Sequence, residues 1–407
     1  MTRILLHILL SAVAFTTRML SLTTAQEHFS RRNNATNTIA GIQAENFGVG
    51  CGGDMEYPST DEFTKQPRFA YLITNPLADF VAVHFKHFNL PENDYVQIRA
   101  ADPASTEKQI LRFQGNESSG DFYAPALSTV AVIVELFTEI ADFPQAVDAS
   151  ECLGFSVDRY QYLARGSSLN GAKEEVCGFD NSREASCYKS FTEVFQASKA
   201  VARLLTKKPE GAFYCTGWLL GSEGHLMTNH HCISSQIHAD NTEFEFDAEG
   251  SVCSISCANA RACSGSIRAK SATLIYADDA LDYALLKLPV DLSVEYGYLR
   301  LRTSGAELSE RVYMPEHPAG WGKRIAMKTD SGWGTVKSLT MGGCATDQVA
   351  YYLDTQGGSS GSPVLSWSDN TVIALHHCGG CPNTAINSYK LVNDMKWRNI
   401  LPANATV

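Results

Sequence analysis

Twelve cysteines, an even number with ten of them between residues 177 and 402, constrain this chain more than any other feature. A reducing compartment keeps thiols free, whereas in an oxidising one disulfides are the default fate of such cysteines. The N-terminus agrees with the second setting. Arg3 precedes the apolar stretch Ile4 to Phe15, and Thr23-Thr-Ala25 offers small residues for cleavage before Gln26, so residues 1–25 read as a secretory signal. Arg18 interrupts the tail of that stretch. The apolar run is too short to span a bilayer, and no later run is longer, so no membrane partner is expected. Glycosylation sequons stand at Asn34, Asn116 and Asn404. The sequence therefore reads as a secreted, extracellular glycoprotein.

At 407 residues the chain exceeds what one core usually serves, and two domains are expected. Its formal charge is −11, with no clustered Lys/Arg run, which excludes phosphate neutralisation and hence nucleic-acid binding. Residues 26–47 form a polar, Asn/Thr-rich lead-in. From 48 to 165, short apolar strands alternate with turn clusters, the clearest being Phe80 to Phe85 and Val130 to Leu136. Cys51 and Cys152 bracket this part and are placed to staple its ends. The pattern predicts an all-β sandwich. Residues 166–176 read as a linker. Beyond it, 177–402 again favours short strands, with helical spacing around Val194 to Leu205 and at Lys390 to Ile400, where a closing helix is expected.

The 48–165 part resembles a CUB domain in the pieces Phe69-Ala-Tyr-Leu-Ile73, Phe80 to Phe85, Asp94-Tyr-Val-Gln-Ile-Arg99 and Gly154-Phe-Ser-Val157. The usual second disulfide is missing. The resemblance implies a protein or glycan ligand. Some CUB domains hold calcium on an acid placed like Asp94; the simpler reading is a strand-edge Asp before a core Tyr, and no metal or cofactor is expected.

Chemistry concentrates in the second part. The octapeptide Gly357 to Val364 (Gly-Gly-Ser-Ser-Gly-Ser-Pro-Val) places Ser360 in a tight turn, where small neighbours let backbone N–H groups converge on one point. In this reading Ser360 is a nucleophile, and the N–H groups of Gly358 and Ser360 form an oxyanion hole. Cys215 and Cys232 lie 17 residues apart, a loop suited to one disulfide between adjacent strands that would fix the neighbouring His231 as a general base. Asp282, at the head of Asp282-Tyr-Ala-Leu-Leu286, is costly in so apolar a setting unless an imidazole N–H pairs with it. Asp278 and Asp279 are nearby competitors in a turn. The order His, Asp, Ser is one of the known orders of this triad.

Thr228-Asn-His-His-Cys232, Asp282-Tyr-Ala-Leu-Leu286 and Gly358-Ser-Ser-Gly-Ser-Pro363 together resemble the chymotrypsin-like (trypsin-like) serine endopeptidases. Within these, the chain is most similar to secreted microbial lysyl and glutamyl endopeptidases. The resemblance covers about 177–400 and implies two packed six-stranded β-barrels with the triad between them. It also implies the pairs Cys177–Cys381 and Cys187–Cys253, leaving Cys257, Cys263, Cys344 and Cys378 in either pairing. Ser359 stands where animal trypsin-like zymogens carry the Asp that pairs with a new N-terminus, so that switch is expected to be absent. Activation by removal or displacement of the N-terminal domain is the alternative.

For residue preference, Asp354 lies six residues before Ser360, where trypsin-like enzymes carry the acid that receives Arg or Lys. Against it, Thr355 and His376 match positions that recognise glutamate in the glutamyl type. Asn387 stands where the lysyl type keeps its lysine-binding Asp. Arg/Lys is the preferred expectation. Two rivals remain. His230-His-Cys232 and His376-His-Cys-Gly-Gly-Cys381 contain zinc-ligand types at zinc-like spacing, and an inactive peptidase scaffold could serve as a binding protein.

Overall fold

The computed structural model describes residues 40–58, 66–101, 110–115, 118, 120–138, 152–164 and 176–407. The signal segment, Asn34, Asn116 and nearly all of the 166–176 linker lie outside these residues. The described part belongs to one compact unit, Thr36–Val407.

The first domain is a sandwich of two four-stranded antiparallel sheets. One sheet runs Ala40–Gly50, Gly154–Ala164, Ala78–Asn89, Phe122–Tyr123; the other runs Phe69–Thr74, Ala131–Phe137, Tyr95–Ala100, Ile110–Gln114. Val81, Val83 and Phe85 of the first sheet pack on Val96, Ile98, Val132 and Val134 of the second. The first strand begins at Ala40, upstream of the expected boundary at 48, because it pairs with Gly154–Ala164 along its whole length. Cys51 and Cys152 are bridged at the end of that pair.

A half-exposed strand alternates apolar and polar residues, yet Ala78–Asn89 is buried on both faces over most of its length. Its second face carries Phe80 and Ala82. With Ala126 and Leu163 these pack against Leu205, Ala212 and Tyr214 of the following domain. Polar groups close the same junction. Gln161 Nε2 donates to Lys208 O (2.6 Å), Ala126 N–H to Glu243 Oε1 (2.7 Å) and Tyr123 N–H to Asn241 Oδ1 (3.0 Å). Arg261 donates to Ala126 O (3.1 Å) and Ser128 Oγ (3.0 Å), and Glu243 also holds Lys207 Nζ at 2.6 Å. Glu243 and Lys207 are almost wholly buried, and their charges are tolerable there because each is paired.

The second domain is also all-β, with antiparallel sheets of seven and eight strands. The seven-stranded sheet centres on Val201–Lys208, Gly211–Leu220, His225–Thr228 and Tyr283–Lys287. The eight-stranded sheet centres on Gln348–Tyr351, Asn383–Asn387, Val372–Cys378, Pro363–Ser366 and Val312–Glu316. Short edge strands such as Arg183–Glu184 extend the latter beyond six. The domain also runs past 402, since Thr406 bridges to Leu301. Helical spacing was expected from Val194 to Leu205; the helix Thr192–Lys199 stops at Ala200, and the rest continues as a strand whose β-branched and apolar residues are covered on both faces. The closing helix spans Ser388–Trp397.

All twelve cysteines are bridged: besides Cys51–Cys152, the pairs are Cys177–Cys381, Cys187–Cys253, Cys215–Cys232, Cys257–Cys263 and Cys344–Cys378. This removes the zinc reading of Cys232, Cys378 and Cys381, because a disulfide sulfur is no thiolate ligand. Among the described residues, no helix is long and apolar enough to cross a membrane.

Candidate active site

His231 sits in the loop that follows His225–Thr228, one residue before the bridged Cys232. Its backbone N–H donates to Asp282 Oδ1 (2.9 Å) and its ring Nδ1 to Asp282 Oδ2 (2.7 Å). Two bonds from one residue to one carboxylate fix both the ring and its tautomer, leaving Nε2 as the basic nitrogen. The loop is held from both sides. Asn229 Nδ2 donates to Asp282 O (2.8 Å), and Lys208 Nζ donates to His231 O (3.0 Å). Lys208 is the residue whose carbonyl Gln161 of the sandwich grips, so the domain junction reaches the backbone of His231.

Asp282 occupies the turn just before Tyr283–Lys287 with φ 44°, a left-handed conformation unusual for a non-glycine residue. Burial by itself would raise its carboxyl, but His231 and His377 outweigh it and hold the group well below the usual carboxylate range. The competitors point elsewhere. Asp278 accepts Leu281 N–H (2.8 Å) and Arg398 Nη2 (3.2 Å), and the exposed Asp279 faces His230 at 3.4 Å.

Ser360 is buried in a turn whose backbone is fastened at every residue. Thr216 organises it: its N–H donates to Ser360 O (2.8 Å), its hydroxyl donates to Gly358 O (2.9 Å), and that hydroxyl accepts His317 N–H (3.0 Å). Ala319 N–H holds Gly357 O at 2.7 Å. In a trans peptide the next N–H points opposite to the carbonyl, so this bond turns the Gly358 N–H away from Ala319. Gly358 has φ 109°, and a Cβ there would stand 2.8 Å from His317 O. Gly361 has φ 89°, and a Cβ there would stand 2.2 Å from Thr216 O. Only glycine meets both demands.

The three expected residues are thereby joined in one circuit. From Ser360 it passes to Thr216, through Cys215–Cys232 to His231, and on to Asp282. It returns through His377, whose Nδ1 lies 3.1 Å from Asp282 Oδ2, and through His376 O, which accepts Gly361 N–H (2.9 Å). His376 and His377 project to opposite sides of one strand. His376 is buried beside Tyr351 Oη (2.7 Å from Nδ1) and pushed down to about 3 by burial, with the His377 and His231 charges adding. His377 spans Asp282 and Gln348 Oε1 (2.7 Å).

The expected specificity residues are distributed differently. Asp354 is almost wholly buried, and its oxygens accept Cys177 N–H (3.1 Å) and Asn181 N–H (2.8 Å), so it fastens the entry segment of the domain to the segment before the Ser360 turn. Burial pushes it up to about 6, and the two amides only partly offset this. Beside it, the Thr355 hydroxyl is buried with no hydrogen-bond partner among the described residues. Asn387 Oδ1 accepts Tyr389 N–H (3.3 Å) and Ala306 N–H (3.2 Å), capping the closing helix. Ser359 makes a local turn bond, accepting Gln356 N–H at 3.1 Å, rather than the long-range ion pair of zymogens. The sequon residue Asn404 is exposed, with its amide on Ser222 Oγ (2.8 Å).

Thr216, His377, Gln348 and Lys208 were missed by the sequence reading. Only His377 carried a signal, as the second of two adjacent histidines on a strand, one of which must face away from the other.

Residues 215–375 match the family described as trypsin-like peptidase domain. The fold is also similar to solved proteases: the HtrA-type protease AlgW with tripeptide (19% identical, TM-score 0.38, covering 52% of this chain and 63% of that one) and the Rv3671c protease from M. tuberculosis, active form (15%, 0.39, 53% and 86%). The chain thus spans less than two thirds of AlgW. Secreted RxLR effector protein 73 of Plasmopara viticola is 68% identical over 402 residues, covering 98% of this chain and 99% of that protein. The chain belongs to the family of secreted RxLR effector protein 73, and it carries a trypsin-like peptidase domain.

Proposed function

We propose that the chain is a secreted serine endopeptidase that cleaves peptide or protein substrates through an acyl-enzyme. Ser360 Oγ attacks the scissile carbonyl carbon while His231 Nε2 takes its proton. The C–N bond then breaks as His231 returns that proton to the leaving amine. Water repeats the sequence, and the acyl product leaves with Ser360 restored. Asp282 orients His231 and stabilises its imidazolium. The N–H groups of Gly358 and Ser360 receive the developing oxyanion, each donor typically contributing about 3 kcal/mol. The observation that carries this reading is the circuit joining the Asp282–His231 pair to the fastened turn of Ser360.

Secretion is supported by the N-terminal signal pattern, by six disulfides and by the relative's description as secreted. For residue preference, Asp354 favours a cationic side chain above about pH 6, where it ionises. The buried hydroxyl of Thr355, without a partner among the described residues and next to the buried His376 strand, favours glutamate instead. A peptide-library digest separates these readings. Cuts after Arg/Lys are expected, and cuts after Glu move recognition to Thr355 and His376. Cutting that persists in Ser360→Ala would overturn the mechanism itself.

A further inference from the structure

The Asp282 carboxylate serves two histidines, and both ring nitrogens of His377 face side-chain oxygens. Its ring is buried, with 3% of the side chain exposed. Nδ1 faces Asp282 Oδ2 at 3.1 Å and Nε2 faces Gln348 Oε1 at 2.7 Å. The orientation of the Gln348 amide is not free, because its Nε2 donates to Ala345 O; the reversed amide would set two oxygens against each other. Both partners of His377 are therefore acceptors. An imidazole placed between two acceptors satisfies both only when each nitrogen carries a proton.

We infer that His377 is a positioning residue: a doubly protonated imidazole that shares Asp282 with His231 and so restrains the basicity of the triad. This rests on the reading of His231 as the general base. The titratable groups around His377 are Asp282 from the turn before Tyr283, His231 from the loop after Thr228, and His376 from its own strand; Gln348, across the sheet, is neutral. His376 stays uncharged beside it, since burial and the neighbouring charges of His377 and His231 press it down to about 3. Asp282 accordingly holds one cation in the resting state and a second when His231 takes the serine proton. Like charges on one carboxylate oppose each other, so His377 lowers the pH at which His231 becomes a competent base.

The test uses His377→Gln, which keeps a donor toward Asp282 without the charge, and Gln348→Leu, which removes the Nε2 acceptor without touching the triad. Both are expected to move the acid limb of the kcat/KM profile upward by about one pH unit, the scale on which a nearby charge shifts a titration. The concentration of folded sites would be fixed by fluorophosphonate titration. Independently, nitrogen NMR of histidine-labelled, full-length protein should show both His377 nitrogens protonated at pH 7, with those signals lost in His377→Gln. An unprotonated His377 nitrogen at pH 7, or variants whose activity falls by the same factor at every pH, would overturn the inference. An unlabelled, inactive wild type would instead overturn the peptidase reading and leave the NMR result standing.

Discussion

Phe80→Ala tests whether the sandwich is a permanent part of the folded peptidase or a detachable prodomain. Phe80 has no exposed surface, yet it faces away from the sandwich's own core toward Leu205, Ala212 and Tyr214, with Arg261 over its ring at 5.8 Å. Truncating a fully buried Phe costs about 3–5 kcal/mol. At about 2 °C per kcal/mol for a body of this size, the melting temperature should fall by about 6–10 °C. Because the ring joins two domains, the loss should appear in one transition common to both. Parting them would also strip Ala126 and Ser128 from the Glu243–Lys207–Arg261 cluster, leaving buried charges with fewer partners. Scanning calorimetry, followed in parallel by thermal loss of peptide hydrolysis, provides the measurement. Leu72→Ala, at an exposed position, is the control and should stay within about 0.5 kcal/mol of the parent. A second, unshifted transition carrying the activity would show that the two parts unfold independently and restore displacement of the N-terminal domain as an activation route.

Two further outcomes follow from single residues. Thr216→Val keeps shape but leaves His317 N–H and Gly358 O without a partner, so stability should fall by about 1–3 kcal/mol in denaturant titrations. With the turn loosened, kcat/KM should fall more than the stability loss alone explains. Asp354 binds its proton more tightly folded (about 6) than at its ordinary 3.8, so the native state is favoured at low pH and loses stability as pH rises from about 4 through 6. Over that window the loss amounts to about 2–3 kcal/mol. Asp354→Asn should flatten that slope in urea unfolding at pH 4 and 6.5; an unchanged slope assigns it to another group.

What could be read from the sequence was whatever depends on local backbone demands or on a motif complete in itself. Gly358 and Gly361 had to be glycines for a turn of that shape, and both adopt positive φ. Cys215, midway along Gly211–Leu220, and Cys232, in the loop after the adjoining His225–Thr228, were close enough to pair on spacing alone. Asp282 was conspicuous as a charge among apolar neighbours, and its partner is the expected imidazole. Contacts that arise only when separate strands are laid side by side were not legible. The unbroken apolar run around Phe80 was taken as strong β composition, although the absence of alternation also means a strand covered on both faces. The contacts of Asp354 with Cys177 and Asn181 were among these, because spacing from Ser360 says nothing about the entry segment that folds back onto it. The helix cap at Asn387 was likewise hidden, since it is set by the residues that follow it. His377 was grouped with its neighbour because sequence proximity conceals that a strand sends adjacent side chains to opposite sides.

In the proposed mechanism Ser360 is an activated nucleophile held by His231 and Asp282. Incubating the full-length, disulfide-intact protein with a fluorophosphonate probe and locating the adduct by peptide mass spectrometry tests it most directly. One stoichiometric adduct on Ser360 is expected, absent in Ser360→Ala and strongly slowed in Asp282→Asn, where His231 loses its carboxylate. Properly folded protein that takes up no label, or label on another serine, would contradict it.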